Sequence, residues 1–134
     1  MTKRPIRTPN DFLAFFQAFS RQDWEETLSY LHEDCVWDAT EQRLKGREAI
    51  RAYWTGAHAA IRESLSPPTN IAFTDTGAYL QTTFRLEFIQ NGSFLGQSYV
   101  QGSVVEVPCV DVYTLAPDGT IQECRVYPKF RPGT

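Results

Sequence analysis

The stretch Tyr79-Leu80-Gln81-Thr82-Thr83-Phe84-Arg85-Leu86-Glu87-Phe88 decides the fold. Leu80, Thr82, Phe84, Leu86 and Phe88 alternate with Tyr79, Gln81, Thr83, Arg85 and Glu87. That period of two predicts a long antiparallel strand with one apolar and one polar face. Asn91-Gly92 follows as a hairpin-turn signal. A return strand is expected over Phe94 to Val107, with Pro108 marking a bulge or a strand start. Cys109 to Leu115, the turn Pro117-Asp118-Gly119 and a last strand from Ile121 to Tyr127 complete a strand-rich second half.

Upstream of residue 68 the period is helical. Thr8 is placed to cap a helix that Pro9 starts and Asp11 favours in its first turn. Phe12, Phe15, Phe16 and Phe19 then form an apolar stripe at i, i+3, i+4 and i+7. Asp23-Trp24-Glu25-Glu26 reads as a capping box opening a second helix, with Trp24, Leu28 and Leu31 facing inward. Cys35-Val36-Trp37 is a short strand candidate. Gly46 introduces a third helix from Arg47 to about Leu65, with Ile50, Trp54, Ile61 and Leu65 as its stripe, and Pro67-Pro68 ends it. The expected class is α+β: three N-terminal helices on one face of a curved, mostly antiparallel sheet. Residues 1–134 are expected to form one domain, with 1–8 as a flexible, solvated tail carrying Lys3, Arg4 and Arg7.

Composition narrows the function classes. The chain has 134 residues, 42% of them hydrophobic, with nine Phe, six Tyr and three Trp, enough for a real core and unlike a disordered or disulfide-framed chain. No apolar run approaches the ~20 residues of a membrane span. Thirteen basic against sixteen acidic residues, net −3, give no electrostatic reason to expect a nucleic-acid partner. The three cysteines, Cys35, Cys109 and Cys124, lie at long spacings without a metal pattern, and read as small buried residues in a reducing compartment. Lys3, Arg4 and Arg7 before an apolar stretch imitate a secretory signal, but Asp11 interrupts it and no small-x-small cleavage site follows Phe19. A cytoplasmic protein is expected.

Three segments carry a family resemblance: Leu31-His32-Glu33-Asp34-Cys35-Val36-Trp37-Asp38, Lys45-Gly46-Arg47-Glu48-Ala49-Ile50-Arg51-Ala52-Tyr53-Trp54, and the run from Asp111 through Gly119-Thr120-Ile121 to Tyr127. With the element order, they resemble the nuclear transport factor 2-like superfamily, in its SnoaL-like branch of polyketide cyclases and ketosteroid isomerase-like proteins. The resemblance implies a cystatin-like α+β barrel, in which a strongly curved mixed sheet and three helices enclose a conical, mostly apolar pocket. It also implies acid–base chemistry without a metal or organic cofactor, and a homodimer formed through the sheet. The fold hosts many chemistries, so it does not choose the reaction.

Asp111 is the sharpest candidate for chemistry. It shares a strand face with Cys109, Tyr113 and Leu115, where burial would raise its pKa into the range of a proton donor. Aligned on Gly119, it falls where the ketosteroid isomerases carry the aspartic acid of their oxyanion hole; the alternative is an edge-strand aspartate paired with Arg125. Asp38 lies near the isomerase base, but a one-residue shift puts Ala39 there instead and turns Asp38 to the other face. The isomerase tyrosine on the first helix corresponds to Phe15, which lacks the hydroxyl. The histidine dyad of scytalone dehydratase is missing, and Arg85-Leu86-Glu87, a faint analogue of the epoxide hydrolase pair, reads as a surface or dimer-interface pair. Glu106 falls opposite Asp111 unless a bulge at Pro108 reverses the register. His58, on the third helix, is a candidate base or proton shuttle. Phe15, Trp37, Tyr53, Trp54, Phe84, Tyr99 and Tyr113 are the expected pocket walls. The reading is an isomerase, cyclase or dehydratase acting on a hydrophobic carbonyl-bearing substrate, such as a polyketide or terpenoid intermediate; the alternative is a binding or assembly module of the same fold. A cone plugged by Phe15, Trp54 and Tyr113 would favour that alternative.

Overall fold

The computed structural model describes residues 2–130. Along the chain run α1 (Pro9–Ser20), α2 (Trp24–Ser29), β1 (Leu31–Asp38), β2 (Arg43–Lys45), α3 (Arg47–Ala57), β3 (Ile61–Leu65), β4 (Thr69–Phe73), β5 (Gly77–Phe88), β6 (Gly92–Phe94), β7 (Gln97–Tyr99), β8 (Val104–Leu115) and β9 (Ile121–Pro128). The main sheet has the order β2-β1-β9-β8-β5-β3, and β4 also pairs with β5. All its pairings are antiparallel except β1 with β9, so the sheet is mixed.

The alternation at 79–88 forms β5 as the period requires. Ala78, Leu80, Thr82, Phe84, Leu86 and Phe88 are buried. Their partners across β8 are Tyr113, Asp111, Cys109, Val107, Val105 and, at the end of the strand, the Ser103 carbonyl that accepts from the Phe88 amide. α1 begins as expected: the Asp11 carboxylate accepts from the backbone amides of Arg7 and Thr8, at 2.7 and 2.9 Å. Its phenylalanine stripe is fully inside, with Phe12, Phe15, Phe16 and Phe19 all buried.

Several expectations are corrected. The third helix stops at Ala57, and Ile61 to Leu65 is instead the edge strand β3, paired with Phe84 to Phe88. Pro67-Pro68 therefore interrupts an edge strand, not a helix. Ser66 bridges the break: its amide donates to the Thr83 carbonyl, and its Oγ accepts from the Thr83 amide. The chain then continues along β5 as β4. Asn91-Gly92 does not join β5 to its partner, because Gly92 opens a separate two-stranded ribbon, β6–β7. That ribbon turns at Leu95-Gly96, whose φ angles of 49° and 78° are those of a tight two-residue turn. The return strand thus starts at Val104, not Phe94. Pro108 causes no bulge, since the β5–β8 register runs unbroken through Thr83 opposite Pro108. Its carbonyl accepts from the Lys129 amide, one residue past the end of β9, so its nitrogen faces that side and the β5 pairing needs no donor from it.

The short strand at Cys35 is longer than expected, beginning at Leu31. The N-terminal segment expected to be a flexible tail is docked. Ile6 is 1% exposed, its amide donates to the Gly119 carbonyl, and the Arg4 amide donates to Ser29. An apolar side chain with a cavity to fill and backbone donors with acceptors opposite outweighs the entropy of a free end.

Candidate functional site

Curvature of the sheet leaves a cavity of about 690 Å³ between its concave face and the helices, and the cone is open rather than plugged. Of the expected walls, Phe15 comes from α1, Trp37 from β1, Tyr53 and Trp54 from α3, Phe84 from β5 and Tyr113 from β8. Phe15 meets Trp37 and Tyr113 edge-on, each at 6.4 Å between ring centroids, and Trp54 meets Trp37 at 5.1 Å. These tilted contacts make a stiff apolar lining. Tyr99 is not among the walls. It stacks on Phe88 at 4.8 Å and donates its hydroxyl to Gln97, while Phe94 from the β6–β7 ribbon lines the cavity in its stead.

Asp111 reaches this cavity and is 5% exposed. Tyr113 Oη donates to its Oδ2 at 2.8 Å, and Cys109 Sγ lies 3.6 Å from its Oδ1. All three face inward because positions 109, 111 and 113 share one side of β8. Arg125 does not neutralise it: Arg125 sits opposite Val112 on the outer face, whereas Val126 sits opposite Asp111. Burial pushes the Asp111 carboxyl up to about 6, against the downward pull of the Tyr113 and Cys109 hydrogen bonds; the negative charge of Glu63 adds to the rise. The Tyr113 hydroxyl is driven far above its ordinary value, first by burial and then by the Asp111 charge. It stays a proton-bearing donor.

Asp38 does not join them. Trp37 and Ala39 line the cavity, and Asp38 between them is turned the other way, opposite Arg125 across the β1–β9 pairing. The register is the one that puts Ala39 inward. Glu106 is likewise on the outer face, within 4.0 Å of Arg85, which also approaches Glu87 at 3.7 Å. These charges are surface groups.

His58 reaches the cavity from the C-cap of α3, and with it comes a residue the sequence reading missed, Glu63 on β3. His58 Nδ1 lies 2.6 Å from the Trp54 carbonyl, so that nitrogen carries a proton and donates it. Nε2 is 3.2 Å from Glu63 Oε1, close enough for an ion pair but without the alignment of a directed hydrogen bond. The ring is flanked by Trp24 at 5.2 Å and Phe19 at 5.6 Å between centroids. Burial pulls the His58 pKa down, but Glu63 and the Trp54 carbonyl together more than offset it, and the net shift is upward. The helix C-terminus and the indole face favour the same protonated ring. Among the described residues, no group of three or more His, Cys, Asp or Glu is placed to hold a metal ion. No helix among them is long and apolar enough to cross a membrane.

A family model for the SnoaL-like domain matches residues 12–124, and the chain belongs to that family, within the nuclear transport factor 2-like superfamily. The match runs from within α1 to within β9 and includes Asp111, His58 and Glu63. Among solved structures, the chain is similar to a proposed polyketide cyclase from Xanthomonas campestris pv. campestris, at 23% identity and a TM-score of 0.73, over 85% of this chain and 84% of that one. It is similar to another proposed polyketide cyclase, from Silicibacter sp. TM1040, at 22% identity and a TM-score of 0.77, over 96% and 93% of the two chains. The epoxide hydrolase/cyclase-like enzyme SalBIII, which has a role in pyran ring formation in the polyether salinomycin, matches at 18% identity with a TM-score of 0.70, over 91% of both. At these identities the likeness is one of fold. The search of curated proteins found no match.

Proposed function

We propose that the protein is a cofactor-independent enzyme that isomerises, cyclises or dehydrates a hydrophobic, carbonyl-bearing small molecule, of the kind met as polyketide or terpenoid intermediates. The observation that carries this reading is Asp111: a carboxyl 5% exposed, with no cationic partner among the described residues, at the wall of a 690 Å³ aromatic cavity. Held near a pKa of about 6, it delivers a proton or a strong hydrogen bond to a carbonyl oxygen that gains negative charge. A merely structural position would favour an apolar residue there, because the buried carboxylate destabilises the fold. The polyketide cyclases and the cyclase-like enzyme among the structural neighbours are in keeping with this class of substrate.

The test is a panel of aromatic polyketide esters and cyclic terpenoid ketones, incubated with the protein and followed by chromatography and mass spectrometry. Isomers and cyclised products keep the substrate mass; dehydration removes one water. Asp111→Asn should lower turnover by about 100-fold or more, and undiminished turnover in that variant sinks the assignment. We further propose that the outer sheet face pairs two copies of the chain. Val110 and Tyr127 are cross-strand neighbours there, 36% and 53% exposed, and Tyr79 lies on the adjoining strand at 48%. A monomer by light scattering at working concentration refutes the pairing.

A further inference from the structure

An acid alone does not complete proton chemistry at carbon, and Asp38, an expected base along with His58, faces away from the cavity. Glu63 and His58 are the other ionisable pair in the chamber. Glu63 lies between Ile61 and Leu65 on the inward side of β3, and its charge acts on both Asp111 and Cys109 across the cavity. His58 is the more enclosed of the two: its side chain is 5% exposed, against 23% for Glu63. Its Nδ1 is bonded to the Trp54 carbonyl, and its Nε2 lies 3.2 Å from Glu63 Oε1 without a directed hydrogen bond. The imidazole is therefore held beside the carboxylate and is the less accessible of the two.

We propose that Glu63 is the general base of this site and His58 the residue that positions it, so that the substrate class is a ketone or 1,3-dicarbonyl with an acidic C–H beside the carbonyl. This rests on the reading of Asp111 as the acid. The Glu63 carboxylate takes the C–H proton, the C–H electron pair becomes the enol double bond, and the carbonyl π pair takes the proton of the Asp111 carboxyl. The products of the step are an enol, a Glu63 carboxylic acid and an Asp111 carboxylate. In a β,γ-unsaturated ketone the enol is a dienol, so Glu63 can return the proton to the γ carbon while Asp111 recovers its own from the enol oxygen, which completes an isomerisation. If the enol carbon attacks a second carbonyl instead, Glu63 protonates the new alkoxide and the result is a ring. Both routes return the two carboxyls to their starting states without an outside reactant.

The geometry explains why the two carboxyls divide the roles. Glu63 faces the imidazole, whereas Asp111 faces only the neutral donors of Tyr113 and Cys109. The carboxyl that faces only neutral donors is placed to give a proton, and the one beside the imidazole is placed to take one. The charged and titratable groups around the two carboxyls are His58 at the end of α3, Cys109 and Tyr113 on β8, Glu41 at the cavity wall, and Tyr53 on α3, whose hydroxyl feels both Glu63 and Glu41.

The probe is 2-tetralone, a bicyclic ketone with an activated CH₂, incubated with the full chain in D₂O while proton NMR follows loss of the C1 signal. The wild type should speed exchange above buffer, and Glu63→Gln should reduce that acceleration by about 100-fold. Glu63→Asp should restore part of it. His58→Gln should keep some exchange but lower kcat while leaving KM near the wild-type value, since the carboxylate is no longer held in place by the imidazole; a purely structural histidine would leave kcat unchanged. Exchange by Glu63→Gln at the wild-type rate overturns the base assignment, as does a wild type no faster than buffer. Asp111→Asn is read in parallel. If it alone loses exchange, the acid reading stands and the base assignment falls; if Glu63→Gln alone loses exchange, the base stands and the acid reading falls.

Discussion

Replacing Asp111 by Asn should make the protein more stable at neutral pH, and the gain should vanish in acid. The folded carboxyl holds its proton up to about pH 6, whereas the free side chain loses it near 3.8. Between those values the folded state binds more protons than the unfolded one, so stability falls as pH rises through this window. A displacement of roughly two units at 1.36 kcal/mol each is about 3 kcal/mol by pH 7.5. Asparagine does not titrate, and its Oδ1 still accepts from Tyr113 Oη. Its amide NH₂ finds only the weak acceptor Cys109 Sγ, so at pH 4 the variant should match the wild type or fall slightly below it. Groups such as His58 titrate in both proteins and cancel in the difference. Urea unfolding at pH 4, 6 and 7.5, with equal m values, measures that difference. In melting temperature the neutral-pH gain corresponds to roughly 10 °C for a domain of this size. A stability difference that stays flat across the three pH values refutes the account of Asp111 as a buried, unpaired carboxyl.

Two further outcomes follow from packing. A Cβ at Gly77 would lie 1.9 Å from the Tyr113 carbonyl oxygen and 3.2 Å from Thr114 Cα, both backbone atoms that cannot turn aside. Gly77→Ala should therefore force β5 and β8 apart beneath Asp111 and cost about 3 kcal/mol, and a near-wild-type urea midpoint would contradict the register. Ile6→Ala should cost about 3 kcal/mol in the same assay because Ile6 is 1% exposed; a cost below about 0.5 kcal/mol would mean that the segment is undocked in solution.

The elements that were legible are those whose pattern admits one reading. The alternation of 79–88 fits a strand and nothing else, and the phenylalanine stripe of α1 fits a helix and nothing else; both formed with the expected faces. The inward position of Asp111 followed from the same parity, because the β5–β8 register has no slip. Turn signals fared differently, since Asn91-Gly92 reports a local preference and not which strands it joins. The Leu95-Gly96 turn carries a non-glycine residue at positive φ and gave no such signal. Pro108 reads as a bulge or a strand start from sequence because a missing N–H is costly only where a partner strand awaits it, and where β9 ends is a tertiary fact.

The same ambiguity concealed half of the site. Ile61 and Leu65 are four residues apart, which places them on one face of a helix and also on one face of a strand. The apolar pattern therefore could not distinguish the two. Glu63 between them decides the consequence: on a helix it sits about 200° from Ile61 and faces water, while on a strand it shares their face. Read as a helix, the segment offers one lone histidine. Folded as β3, it brings a half-buried carboxylate into the cavity beside His58, which is then no longer a mid-helix residue but the cap on which α3 ends. Gly56 in the last turn was the available sign that the helix was ending, since glycine weakens a helix interior by about 1 kcal/mol relative to alanine. A helix of 11 residues that stops there leaves Ala59-Ala60 as the turn into β3. The acid was visible because its strand had one reading. Its partner was hidden because two periods coincide at a spacing of four, and the carboxylate between the coinciding positions is what tells them apart.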